Sequence, residues 1–284
     1  MNSYTLKQLF DTIGSRLSSI YSGNEVQAIR KLLFDKVVGI PHFNVHINPN
    51  VNVDVETVTR ISDILNELEQ GKPVQYAIGE ADFMDMIFMV NPNVLIPRPE
   101  TEELVSWIVG NNKNASPKIL DIGTGTGCIA IALAKYITNV QVSAIDISPM
   151  ALNTAELNAK NNDVRVDFIN ADILAAPAIA NAPFDIIVSN PPYVREMEKQ
   201  VMHRNVTEFE PHLALFVSNN DPLLFYRTIT INAHRWLKRD GQLYFEINEA
   251  FGNEIKDLLI ENGFKDVEVR KDINGKNRMA YGRR

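Results

Sequence analysis

Residues 118–147 read KILDIGTGTGCIAIALAKYITNVQVSAIDI, and this stretch decides the fold. Residues 118–123 form a short apolar run closed by glycine, as a buried strand does. A helix is expected over Cys128–Tyr136, and residues 140–147 read as a second apolar strand. Strands that stay apolar on both faces, with a helix between them, belong to a parallel sheet covered on both sides. The alternation continues with a helix over 151–161, strands over 164–169 and Phe184–Ser189, a helix over 223–237 and a strand over 242–247. A helix over 253–262 and strands near 266–270 and 279–282 close the chain. The fold class is therefore α/β with a mostly parallel sheet.

Upstream the pattern changes. Leu6, Leu9, Phe10, Ile13 and Leu17 recur at spacings of three and four, and so do Val26, Ile29, Leu32 and Leu33. A third stripe runs Val55, Val58, Ile61, Ile64, Leu65, Leu68, with Asp54 placed to cap it. These are amphipathic helices, with a long loop expected over 39–52, where two prolines and four asparagines accumulate. A hairpin is predicted from Val74–Ile78 and residues 83–90, turning at 79–82, and a further helix from Thr101 after Pro97 and Pro99. The organisation read here is a helical module over 1–73, a hairpin linker over 74–96 and an α/β domain over 97–284.

The chain carries 28 basic and 35 acidic side chains, a formal charge of −7, and such a field repels a phosphate backbone. Arg195, Lys199 and Arg204 lie within one short segment as a local basic run against that trend. A single cysteine, Cys128, excludes an internal disulfide framework and any cysteine-cluster metal site, and favours a reducing compartment. No uncharged apolar run approaches the ~18 residues that span a bilayer. A cytoplasmic monomer with no membrane association and no metal is expected.

Two motifs carry chemistry. The first is Gly123-Thr124-Gly125-Thr126-Gly127, which leaves the first strand at the carboxyl edge of the sheet, where ligands bind. Glycines there reach positive φ and let backbone approach a ligand. Cys128 stands where a dinucleotide fingerprint would have its last glycine. Asp146 ends the second strand at the spacing of an acid that accepts from a ribose diol; the alternative is an ordinary cap in Asp146-Ile147-Ser148-Pro149. Asp172 follows the third strand and could accept from an adenine amino group or simply shape a turn.

The second motif is Asn190-Pro191-Pro192-Tyr193, delivered to the same edge by Phe184–Ser189. Proline fixes its own φ and keeps the residue before it extended. An Asn carbonyl and a backbone carbonyl could then grip the two hydrogens of a planar NH₂ group, with the Tyr193 ring on its plane. A nitrogen of that kind is a poor nucleophile, because its lone pair is delocalised. Acceptors on its hydrogens raise its electron density and orient it toward an electrophile.

Together with Ile96-Pro97-Arg98-Pro99-Glu100-Thr101-Glu102 and with Glu210-Pro211 followed by Ala214-Leu215, these residues resemble the peptide chain release factor glutamine N5-methyltransferases. That family belongs to the Rossmann-like class I methyltransferases that use S-adenosylmethionine, and the similarity covers nearly the whole chain. The resemblance implies a helical N-terminal domain that helps hold the release factor, a hairpin linker, and a seven-stranded sheet ending in an antiparallel strand. It implies that the acceptor is the glutamine of a Gly-Gly-Gln motif and that S-adenosylhomocysteine is the product. It also implies that residues 123–127, Asp146, Asp172, Ile173 and Asn190 hold the cofactor. By the same resemblance, Asn190, Pro191, Pro192 and Tyr193 are expected to form the glutamine pocket, with Asn190, Pro191 and Tyr193 catalytic. Asn248 and Phe251 after Glu246, and Ser218-Asn219-Asn220, depart from the family pattern.

The same Asn-Pro-Pro-Tyr element would serve an adenine-N6 methyltransferase of RNA or DNA, gripping a flipped base. A cofactor-binding regulatory protein without catalysis is the third reading. His42 and His46 lack a third ligand, Cys128 suits a small buried position, and Trp107 and Trp236 suit the core. Glu208 and Glu210 would orient Tyr193 or the acceptor loop, or else form a solvated acidic turn.

Overall fold

The computed structural model describes residues 4–112 and 116–284. Two compact units are present: residues up to Glu80 together with His203–Phe209, and Ala81–Met202 together with Glu210–Arg284.

The first unit is helical because its stripes are capped where the sequence allows. Thr5 and Ser22 each form a reciprocal cap, with Gln8 and Glu25, at the starts of Leu6–Leu17 and Gly23–Leu33. Asp54 accepts from Thr57 N–H at 2.8 Å and opens Val55–Glu69. The buried faces of the three helices, including Leu9, Ile13, Ile29, Leu33, Ile61 and Leu65, share one core. The segment over 39–52, expected to be a loop, holds a one-turn helix, Asn44–Ile47, and its end pairs antiparallel with Tyr4–Thr5 through Asn52–Val53. Burial of Val45 and Val53 in that core orders the segment despite its turn-rich composition.

Val74–Ile78 is a helix rather than the first arm of the hairpin. Pro73 supplies the fixed φ that suits a helix start, and Gly79, at φ 93°, ends it. The hairpin follows as Glu80–Phe83 and Met86–Met89, turning at Met84 and Asp85, both at positive φ. Tertiary partners select that turn. Met84 N–H donates to the Glu102 carboxylate at 2.8 Å, and the Tyr136 hydroxyl donates to the Met84 carbonyl. Phe83, Met86 and Phe88 are buried in the core of the second unit.

The second unit is built on a seven-stranded sheet of β1 (Lys118–Ile122), β2 (Gln141–Asp146), β3 (Asp167–Asn170), β4 (Phe184–Ser189), β5 (Leu237–Glu246), β6 (Lys265–Lys271) and β7 (Asn277–Arg283), in the order β6-β7-β5-β4-β1-β2-β3. The pairs β4–β5, β1–β4, β1–β2 and β2–β3 are parallel, while β7 runs antiparallel to both neighbours. This is the Rossmann-like sheet expected from the sequence, with its antiparallel closing strand.

Five helices cover it: α1 (Pro99–Asn112), α2 (Cys128–Tyr136), α3 (Pro149–Asn161), α4 (Leu224–Trp236) and α5 (Gly252–Glu261). Alternate strand residues face opposite layers. Ile119, Ile186 and Val188 pack with α1 and α2, and Leu120, Ile187 and Phe245 pack with α4 and α5. Trp107 lies in the first core and Trp236 in the second. Gly127, at φ 80°, starts α2, and a Cβ there would come within 2.9 Å of Ile131 and 3.1 Å of Ala155 on α3. The missing side chain therefore sets how closely α2 and α3 approach. Among the described residues no helix is long and apolar enough to cross a membrane.

Candidate active site

The chain runs β1-β2-β3 outward on one side and then returns to place β4 on the other side of β1. A crevice opens at the carboxyl ends of strands at such a reversal. A cavity of about 310 Å³ lies there, lined by the loops that follow β1, β2, β3 and β4.

The glycine turn is built from backbone bonds. Gly123 and Thr124 both donate to the Ile145 carbonyl of β2, at 2.9 and 3.1 Å. Gly123 (φ 74°) and Gly125 (φ 55°) adopt the left-handed conformation, and a Cβ on either would meet no atom within 4 Å. Open space therefore lies beside both. Asp146 accepts from Gly125 N–H and from Ser148 N–H, each at 2.9 Å. Ser148, not Asp146, caps α3. Since a carboxylate has about four lone-pair sites, Asp146 keeps acceptor capacity toward the cavity it lines. Asp172 lines the same cavity while its Oδ1 accepts from Leu174 N–H at 2.8 Å, so it shapes a turn and faces the crevice at once.

Asp121 sits beneath the turn, fully buried, with the Thr124 hydroxyl donating to it at 2.6 Å. Burial pushes its carboxyl up to about 7; the Thr124 hydroxyl opposes this and the Asp146 charge adds to it.

At the end of β4, Ser189 anchors its strand by donating to the Ile122 carbonyl at 2.7 Å. Asn190, Pro191 and Pro192 line the cavity, as do Gly123, Thr124, Gly125, Thr126 and Ile173. Gly127 and Tyr193 do not: Gly127 serves helix packing, and Tyr193 turns to a buried carboxylate. That carboxylate belongs to Glu246 at the end of β5, which accepts the Tyr193 hydroxyl at 3.1 Å and the Thr101 hydroxyl at 2.6 Å. Thr101 in turn accepts from Asn190 Nδ2 at 3.4 Å. Burial raises the Glu246 carboxyl above its ordinary range, while the Thr101 and Tyr193 hydroxyls and the Arg278 charge hold it back. Burial, with Glu246 adding, likewise raises the Tyr193 phenol. Asn248 donates to the Tyr193 carbonyl at 3.2 Å, so this departure from the family pattern still serves the loop.

The expected orienting acids do something else. Glu208 pairs with Arg204 at 2.6 Å on the surface, and Glu210 is buried, accepting from Arg98 and from Ile96 N–H. Glu210 thus ties the 91–98 loop to the Pro211 loop, both of which border the cavity. Sequence pattern alone does not mark Glu246 or Thr101 as site residues. The available signal for Glu246 was a lone acid in the otherwise apolar run Leu243-Tyr244-Phe245-Glu246-Ile247.

Cys128 is buried, and burial pushes its thiol up to about 12, which leaves no thiolate near neutral pH. Arg195 pairs with Glu198 at 2.8 Å and Arg204 with Glu208, while Lys199 lies over the Phe216 ring, so each cation of the basic run has a partner. The His46 ring packs edge-on to Phe10 and the His42 ring to Phe43.

Comparisons with known proteins point to a methyltransferase. Residues 101–215 match the family model described as "Methyltransferase small domain". The release factor glutamine methyltransferase of Flavobacterium psychrophilum is 48% identical over 93% of each chain, and that of Bacteroides thetaiotaomicron is 42% identical over 96% of this chain and 98% of its own. Among solved structures, a methyltransferase from Pyrococcus furiosus aligns with a TM-score of 0.53 at 18% identity, covering 79% of this chain and 98% of that one, which is a likeness of fold. With identity of that extent over more than nine-tenths of the chain, the chain belongs to the release factor glutamine methyltransferase family.

Proposed function

We propose that this protein transfers a methyl group from S-adenosylmethionine to the N5 amide nitrogen of the glutamine in a release factor's Gly-Gly-Gln motif. The observation that carries the proposal is one cavity wall on which Asn190 and Pro191 stand beside the glycine turn and Asp146. The donor fits the residues present: bare backbone at Gly123 and Gly125 faces open space, and Asp146 ends the second strand with acceptor capacity for a ribose diol. Asp172 and Ile173, which line the same cavity, would hold its adenine. When bound, the cofactor supplies an electrophilic methyl carbon on a sulfonium.

The chain's own residues supply orientation. Asn190 Oδ1 and the Pro191 carbonyl accept the two hydrogens of the glutamine NH₂, raising electron density at nitrogen and fixing its direction of approach. Pro192 completes the pocket, while Tyr193, turned away from the cavity, supports it through its bond to Glu246. No basic side chain is needed, because a nitrogen that has gained a carbon sheds its proton readily. The helical module over 1–73 helps hold the release factor, residues 74–96 join it to the 97–284 domain that carries the chemistry, and the protein works as a monomer in the cytoplasm.

Tritiated S-adenosylmethionine incubated with the protein and a purified release factor tests the reading. Label is expected on the Gly-Gly-Gln glutamine and absent from a release factor with that glutamine changed to alanine. Label on RNA or DNA instead would transfer the site to adenine chemistry. Asp146→Ala is expected to weaken S-adenosylhomocysteine binding roughly ten-fold or more, the size of a lost charge-assisted hydrogen bond. Calorimetry showing unchanged affinity would remove Asp146 from the site.

A further inference from the structure

A carboxamide has an accepting end and a donating end, and the proposed chemistry works only if Asn190 offers the accepting end to the cavity. Steric shape does not decide this, since the two ends are nearly the same size. Donor counting does. Glu246, in its ionised form, only accepts, and it lies at 2.6 Å from Thr101 Oγ1 and 3.1 Å from the Tyr193 hydroxyl. Thr101 has a single hydroxyl hydrogen, and Glu246 takes it. The Thr101 oxygen is then left with lone pairs alone, so the only end of Asn190 it can bind is Nδ2, which stands 3.4 Å away. Oδ1 becomes the end left for the cavity that Asn190 and Thr101 both line.

We infer that Thr101 and Glu246 are positioning residues that set the amide polarity of Asn190, through a relay running Glu246 to Thr101 to Asn190 and anchored by the Tyr193 hydroxyl. The inference rests on the reading of Asn190 as the acceptor for the substrate NH₂. Glu246 reaches this post because β5 lies beside β4, and Thr101 because α1 begins over the same strand ends. Both are almost fully buried, at 1% and 2% exposure, so water does not compete for their hydrogens.

Three substitutions separate polarity from mere packing. Thr101→Val keeps the shape and removes the hydroxyl, while Thr101→Ser restores it. Glu246→Gln keeps the shape but adds a donor: its oxygen takes the Tyr193 hydroxyl, its NH₂ faces Thr101, and the Thr101 hydrogen is free to turn toward Asn190 and reverse the amide. Thr101→Val and Glu246→Gln are each expected to lower kcat about ten-fold or more, with S-adenosylhomocysteine affinity and thermal midpoint little changed. Thr101→Ser should return kcat to within about three-fold of wild type. The double variant should be no worse than the poorer single one, because both act through one relay. The inference is overturned if both isosteric variants hold kcat within two-fold of wild type, if Ser fails to rescue, or if the losses multiply. Asn190→Ala run in parallel keeps the two levels apart: an active Asn190→Ala sinks the reading of the site, whereas an inactive one beside a fully active Thr101→Val sinks the relay alone.

Discussion

Asn190→Ala lowers methyl-transfer turnover by about 10²-fold or more, the loss that follows removal of one preorganised hydrogen-bond partner from a transition state. The expected signature is a fall in kcat much larger than any loss of cofactor affinity, because Asn190 borders the cofactor but acts on the substrate nitrogen. The glycine turn is held by hydrogen bonds to Ile145 and Asp146, whereas the Asn190 side chain bonds Thr101. Nor should the fold suffer, since β4 keeps its pairing with β1 and β5 and the Ser189 anchor. Steady-state kinetics on a purified release factor, with calorimetry for S-adenosylhomocysteine, measure both quantities. Turnover within a few-fold of wild type would remove Asn190 from catalysis.

Asp121→Asn changes stability in a pH-dependent way. The carboxyl is held at about 7 in the folded protein against an ordinary 3.8, chiefly by burial. A group raised on folding contributes stability that is fully present below its unfolded value and lost as pH climbs through its folded value. Between pH 4 and pH 7 the folded chain holds a proton that the unfolded chain has released. Stability from this group declines across that window by about 4 kcal/mol, at ~1.4 kcal/mol per pH unit. Asparagine does not titrate. The stability of Asp121→Asn relative to wild type should therefore rise by about that amount from pH 4 to pH 8, whatever its value at pH 4. Urea unfolding at several pH values reads the difference, and a gap that stays flat across the window would rule the assignment out. A carboxyl costly to ionise beneath the glycine turn fits a site that trades stability for function.

How much was legible in advance differs from residue to residue. Residues 123–126 of the glycine turn, Asp146 and Asn190-Pro191-Pro192 all line the cavity that the strand pattern pointed to, because each follows directly from the end of an apolar strand. Tyr193 was legible as part of the motif but not in its orientation. Its hydroxyl partner lies 53 residues away on β5, and no local pattern links the two. Thr101, 89 residues from Asn190, was visible as a helix start and as part of a family motif, but not as a partner of Asn190. The hairpin was misplaced by a few residues for the same reason. Pro73 and Gly79 serve a helix boundary as well as a turn, and the choice fell to contacts of Met84 with Glu102 and Tyr136.

By itself the sequence determined the α/β class, the sheet edge that carries the ligands and the residue types displayed there. Those depend on hydrophobic period, glycine and proline, which act within a few residues of chain. Only the tertiary structure decided which buried acid receives the Tyr193 hydroxyl, which hydroxyl faces Asn190, and where the hairpin turns. Those depend on groups that meet only after the strands have paired, and each buried polar group then takes the partner that satisfies it.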